Sequence, residues 1–225
     1  MKRDGRSDLV EIIILDDSYA GDEDCRSLAK EFGAKYIHSG QTKPREVWRI
    51  PGFAINIGAR ASIANALLIC GAEMYHVNDT ISQTLDNVGK GKIVIPSVVK
   101  DDKGQVTKRL SAGEPIEPRH WASLRSLDAR LPFFMGIQKR QFTEIGGYDE
   151  DFTGVCWDDN DITERLVAHG AEYVVTDAKL VHLYHVRHRY GSSEIKERWN
   201  LNKKLYEERR GTTVRNKGRA WGAFS

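Results

Sequence analysis

Short apolar runs alternate with polar, turn-forming stretches along the first hundred residues, and the length of each run decides what it predicts. Residues 10–15 (VEIIIL) are almost purely apolar and stop at Asp16-Asp17-Ser18. This pattern predicts a strand buried on both faces whose carboxyl end opens into a polar loop. Residues 22–32 place Cys25, Leu28, Ala29 and Phe32 on one helical face, with Gly33 as a stop. Residues 34–37 follow as a second strand, and a strand–helix–strand opening points to a parallel sheet.

A polar loop over 38–52 carries Lys43, Pro44, Arg45, Arg49, Pro51 and Gly52. Apolar periodicity from Asn56 to Cys70 predicts one long helix ended by Gly71. Residues 74–77 form another short run, closed by Asn78-Asp79-Thr80, and 92–99 read as a strand that Pro96 pushes to an edge or a bend. The polar region 100–130 reads as an irregular hairpin or loop. Residues 133–137 predict a strand or buried turn and 141–145 a short helix. A helix capped by Asp159 or Asn160 runs to Ala168, strands follow at 173–176 and 179–184, and 192–210 form an amphipathic helix.

At 225 residues the chain suits one large domain. A net charge of +2 argues for neither a nucleic-acid nor a membrane partner, although the stretch from Arg187 to Arg219 is basic and reads as a solvated helical tail. We therefore expect a main domain over 1–190 and a basic tail over 191–225. No stretch is apolar enough to span a bilayer, and residues 1–11 lack a signal-peptide core. The three cysteines (Cys25, Cys70, Cys156) have no metal-ligand spacing, so a cytoplasmic protein with reduced thiols is expected.

Acidic residues gather where strands end, and ligands of open α/β sheets bind beyond those ends. Asp79 is a candidate ligand for a hard cation, or else a cap for the next helix, since Asn and Asp favour such sites. Asp158, Asp159 and Asp161 crowd one helix start (WDDND) beside Trp157. One carboxylate suffices as a cap, whereas mutual repulsion among three would raise a pKa toward that of a useful base. His182 and His185 lie near a strand end, and strand alternation predicts that one of them faces a site. Each is a candidate metal ligand or a structural histidine.

Set in order, these segments resemble the GT-A glycosyltransferases, especially the family-2 group and its relatives among the polypeptide GalNAc-transferases, from about Val10 to His185. EIIILDDS over 11–18 resembles that family's second strand and nucleobase loop, with Asp16 and Asp17 on the donor side. PGFAINIG over 51–58 resembles its nucleotide-binding segment, which implicates Arg49, Gly52 and Asn56. HVNDT over 76–80 falls where an Asp-x-Asp metal motif occurs, with Asn78 toward the donor and Asp79 as ligand, joined by His182 or His185. Gly146-Gly147-Tyr148-Asp149-Glu150 and the WDDND segment match a paired motif. They assign Gly147, Tyr148, Asp149 and Trp157 to the sugar and acceptor site, and Asp159, with Asp158, to catalysis.

The resemblance implies an α/β, Rossmann-like GT-A domain with a mixed, mostly parallel sheet flanked by helices. It implies an enzyme that moves a hexosyl or N-acetylhexosaminyl group from a nucleotide-sugar donor to a glycan, protein or small-molecule hydroxyl. Mn²⁺ or Mg²⁺ would serve as cofactor, and the reaction would invert with Asp159 as base. The alternative is a degenerate domain that binds nucleotide or glycan without turnover. Two departures stand out: the family's first strand has no counterpart, since residues 1–9 are short and polar, and Val77 replaces the first acid of Asp-x-Asp. An interior strand lost from a sheet leaves an edge for a partner to cover, so a homo-oligomer is an expected possibility.

Overall fold

The computed structural model describes residues 10–40, 49–127, 133–186 and 193–223. Residues 1–9, the loop positions Lys43, Pro44 and Arg45, and residues 187–192 at the start of the basic stretch lie outside them.

Strand β1 (Ile13–Asp16), helix α1 (Glu23–Phe32) and strand β2 (Lys35–His38) form the expected opening, with β1 and β2 parallel. Asp22 caps α1 by accepting from the Cys25 amide, and Gly33 closes it at φ 64°, where a side chain is disfavoured. The expectation of full burial fails here: Ile13, Ile14 and Leu15 are only half-buried, and Leu28 and Phe32 are exposed.

Helix α2 (Pro51–Ala61) is followed by strand β3 (Ala66–Cys70), so the long helix expected over 56–70 is a helix and a strand. A buried helix turn and a buried strand share the same apolar composition, and Ser62–Asn65 marks the break. Next come β4 (Met74–His76), α3 (Thr80–Leu85) and β5 (Lys92–Lys100). Pro96 sits inside β5, where the register shifts between Ile95 and Ser97, so the proline makes a bulge in an interior strand. The region expected to be irregular contains α4 (Gln105–Ser111), α5 (Pro118–Trp121) and β6 (Arg125–Ser126). Strand β7 (Phe134–Gln138), α6 (Lys139–Glu144), α7 (Asp158–Ala168), β8 (Glu172–His182) and α8 (Ser193–Arg209) complete the order. The two late strands expected at 173–184 are thus one, and α7 begins at Asp158 with Trp157 in the cap position.

Two sheets result: β2-β1, and a six-stranded sheet in the order β3-β7-β5-β8-β4, with β6 beside β5. The architecture is mixed α/β as expected. Among the described strands, however, only β1–β2 and β5–β8 are parallel, and the remaining pairs are antiparallel. The register fixes which ends meet. Cys70 pairs with Phe134 and Lys100 with His182, so β3, β5 and β8 end on one edge, where β7 begins. Helices α2 and α7 each precede one of these strands by a short turn, which returns their N-termini to the same edge.

The core lies between this sheet and α7, with Ile93, Met135, Ile137, Phe142, Ile162 and Leu166 fully buried. Each such side chain contributes about 1.5–3 kcal/mol. The C-terminal segment is not a solvated tail. Asn202 of α8 donates to the carbonyls of Thr153, Val155 and Cys156, and Tyr206 packs in the core. Buried Arg165 and Arg215 share Asp161, and Arg215 also meets Asp149. Among the described residues, no helix is long and apolar enough to cross a membrane.

Candidate functional site

The edge where β3, β5 and β8 end carries one convergent set of metal-ligating groups. Glu73, His182 and His185 each offer a ligand atom, and these atoms lie within 4.8 Å of one another. Glu73 follows the Gly71 turn after β3 and is held there as its carbonyl accepts from the Leu183 amide. His182 is the last residue of β8, buried, with its Nδ1 bonded to the Leu183 carbonyl at 3.0 Å. A carbonyl only accepts, so Nδ1 carries the proton and Nε2 turns its lone pair toward Glu73 Oε1, 3.6 Å away. A cation held between Nε2 and the carboxylate would accept a lone pair from each. Oxygen and neutral imidazole donors suit Mn²⁺ or another divalent ion. The His185 ring stands 5.4 Å from that of His182. Alternation had predicted that only one histidine would face the site, but β8 ends at His182 and the rule lapses beyond it.

The start of α7 supplies a second chemical feature. Asp158 is buried, and burial pushes its carboxyl up, with Asp161 adding to the rise; the amides of Asp158 and Asp159 act against it. Asp159 is raised likewise, by burial first and then by Asp158. No cation among the described residues pairs with either, whereas Asp161 is neutralised by Arg165 and Arg215. Cys156 and Trp157 lead into the helix with φ of 66° and 75°, a left-handed conformation that strains non-glycine residues. The Trp157 ring packs against Trp199 and Tyr206.

The β1 loop is arranged differently. Asp16 accepts from the Ser18 and Asp22 amides and the Tyr36 hydroxyl at 2.6–2.8 Å. Burial alone would raise its carboxyl; these bonds together outweigh it and bring the pKa down to about 2. Asp17 accepts from Arg49 through both Nε and Nη2, and from Ser39. Arg49 lies 3.6 Å from the centroid of the Phe53 ring and bridges to Thr153, which draws this loop onto the same edge as α7.

Several residues expected to touch ligands serve the scaffold instead. Asp79 caps α3, accepting from the Ser82 amide. Asn78 bonds to Asp177 and Lys179, three to five residues before His182, or roughly 10–16 Å back along β8 at strand rise. The structure therefore does not bring Asp79 and Asn78 together with the histidines, because β4 runs antiparallel to β8. Asn56 is fully buried and spends its amide on Tyr148 and Glu150. Gly52 lies under the Tyr148 ring, where a Cβ would approach within 2.5 Å. Gly147, at φ 66°, abuts Asn56 and Trp221. Tyr148 is a core residue, and Asp149 is buried against Arg209 and Arg215. These groups shape the loop without facing solvent. A single helix over Asn56–Cys70 hides Glu73 from the set of strand-end residues. Reading Ala66–Cys70 as a strand puts Gly71-Ala72-Glu73 in its terminal loop.

A family model described as the N-terminal domain of galactosyltransferase matches residues 134–189, which include the start of α7 and both histidines. No curated protein sequence matches the chain. Among solved structures, GalNAc-T7 with UDP, GalNAc and Mn²⁺ is similar over 93% of this chain and 46% of that chain, with TM-score 0.58 and 14% identity. The chain thus spans about half the length of that protein. The catalytic domain of Drosophila β1,4-galactosyltransferase 7, in complex with xylobiose, is similar over 84% of this chain and 73% of that chain, with TM-score 0.50 and 11% identity. Glucosyl-3-phosphoglycerate synthase from Mycobacterium tuberculosis, in complex with Mn²⁺, UDP and glucosyl-3-phosphoglycerate, is similar over 94% of this chain and 74% of that chain, with TM-score 0.50 and 14% identity. The topology and these likenesses agree that the chain adopts the GT-A glycosyltransferase fold.

Proposed function

We propose that this chain is a glycosyltransferase that moves a hexosyl or N-acetylhexosaminyl group from a nucleoside-diphosphate donor to an acceptor hydroxyl. The observation that carries the reading is the convergence of Glu73, His182 and His185 on the sheet edge where α7 begins with two unneutralised carboxylates. A divalent cation held by Glu73, His182 and His185 would neutralise the diphosphate as it leaves. UDP and Mn²⁺ are named for two similar structures, which makes UDP the first nucleotide to test.

Burial and mutual repulsion keep the Asp158–Asp159 pair from ionising fully until the pH has risen above the ordinary carboxylate range. Once ionised, Asp159 is basic enough to take the acceptor's hydroxyl proton as the oxygen bonds to the anomeric carbon and the diphosphate departs. Such a single displacement inverts the anomeric centre. Asp17, oriented by Arg49 and Ser39, is the donor-side carboxylate, and Trp157 contributes to the wall on the acceptor side.

Donor binding by calorimetry tests this reading. UDP should bind the wild type only with Mn²⁺, and Glu73→Gln or His185→Ala should weaken that binding at least about tenfold. Metal-dependent binding that survives both substitutions would remove the proposed ligand set. A second reading, donor binding without turnover, is favoured by the open apolar slot between β1 and β3 beneath the nucleotide loop. It predicts the same binding with no sugar transferred.

A further inference from the structure

Strand β8 ends at His182, so the chain from there to His185 has no ladder to hold it. Its backbone groups are taken up from two sides. The His182 carbonyl accepts from the Asp101 amide at 3.0 Å, and the Leu183 amide donates to the Glu73 carbonyl at 2.9 Å. One residue further on, the Tyr184 amide donates to Thr107 Oγ1 at 2.8 Å. The turn that joins the two histidines is thus gripped by the Glu73 loop on one side and by the start of α4 on the other.

The grip from α4 has a fixed direction. Asp101, fully buried just after β5, accepts from the Gln105 amide, the Thr107 amide and the Thr107 hydroxyl, each at 2.8 Å. A threonine hydroxyl has one proton. With that proton committed to Asp101, Thr107 Oγ1 can only accept on its other side, where it meets the Tyr184 N–H. Asp101 therefore holds the turn at two points, His182 through its own amide and Tyr184 through Thr107. Gly104, at φ 68°, makes the tight return from Asp101 into α4, and the Tyr184 ring rests on it, 3.4 Å from where a Cβ would lie.

A carboxylate that merely caps a helix needs amides alone. The Thr107–Tyr184 bond adds nothing to the cap of α4 and acts on the segment between the histidines. We propose that Thr107, oriented by Asp101, is a positioning residue for the metal-ligating histidines, and that α4 sets the affinity of the Glu73–His182–His185 site for a divalent cation. The proposal rests on the ligand set put forward above and adds to it the outer partner that holds the ligands in place. The Tyr184 amide is exposed, so water can replace the hydroxyl as its acceptor. The loss of Thr107 Oγ1 accordingly falls on the position of the turn more than on folding.

The test is titration of the intact chain with Mn²⁺ alone, read by the electron-spin-resonance signal of the free ion. Thr107→Val keeps the branched shape and removes the hydroxyl, and should weaken Mn²⁺ binding at least about tenfold. Thr107→Ser keeps the hydroxyl and should bind as the wild type does. Hydrogen exchange at the Tyr184 amide should quicken in Thr107→Val and not in Thr107→Ser. Unchanged exchange within β5 and β8 serves as the check that both variants are folded. Equal Mn²⁺ affinity in the wild type and Thr107→Val would overturn the proposal and leave the ligand set standing. A loss in Thr107→Ser as large as that in Thr107→Val would reduce Thr107 to a packing residue and overturn it too. A wild type that binds no Mn²⁺ would remove the ligand set and the proposal together.

Discussion

Two pairs of adjacent aspartates meet at one sheet edge and are treated in opposite ways. Asp16 and Asp17 are surrounded by donors: two amides and a tyrosine hydroxyl for the first, an arginine and a serine for the second. Asp158 and Asp159 share a buried helix start with each other, and the nearby guanidiniums of Arg165 and Arg215 are spent on Asp161. Composition is alike, although one pair follows a strand and the other opens a helix. The difference lies in who supplies the positive charge and the hydrogen bonds. A satisfied carboxylate is a fixed anion and builds a loop, while an unsatisfied one trades protons at a pH where catalysis is possible.

The largest expected effect comes from removing the unsatisfied charge. Asp159→Asn should lower kcat for sugar transfer by about 10²–10⁴-fold while donor binding persists. In the wild type, activity should fall as the pH drops through the raised pKa, because the proton returns to the base. Stability should move the other way. A folded-state pKa above the unfolded value means that ionisation between the two costs folding free energy as the pH rises. Thermal unfolding of Asp159→Asn at neutral pH should therefore show a melting temperature at or above that of the wild type, and a lower one would contradict the contrast.

Next in size is the satisfied pair. Asp16→Ala strands two amides and a tyrosine hydroxyl, and should destabilise by about 1–3 kcal/mol in denaturant unfolding. Its pKa is depressed to about 2, so the stability it contributes is present above the ordinary carboxylate value and fades as the pH falls toward 2. The smallest effect belongs to Asp79. As a helix cap, Asp79→Ala should cost about 1 kcal/mol and leave Mn²⁺-dependent UDP affinity unchanged. Loss of that affinity would return Asp79 to the metal site.

Much of the frame was legible in the sequence, because periodicity and caps are local. The β1–α1–β2 opening, β4, β7 and the acidic start of α7 all follow from runs of a few residues. The errors arose where the deciding information is distant. A stretch such as ALLIC becomes a strand only because β7 lies beside it. Asp79 and Glu73 flank the same short strand, and only the antiparallel pairing with β8 shows which of them reaches His182. Asn56, Tyr148 and Asp149 sit in motifs that resemble a ligand site, yet Asn56 is spent on Tyr148, 92 residues on, and Tyr148 and Asp149 are held by Asn216, Arg209 and Arg215, some sixty to seventy residues further. Spacing along the chain does not reveal whether a polar group is already spoken for.

The loop beneath the carboxylate pair is held by residues made long after it. Asn216 bonds the Gly146 and Tyr148 carbonyls, Gly222 N–H reaches Glu150, and Trp221 packs on Phe142. The separation between Asn216 and Tyr148 is 68 residues. At about 5–20 residues per second, that is roughly 3–14 s of translation. The sheet can form on the ribosome during this interval, but the clasp cannot, so the site is assembled after its own scaffold.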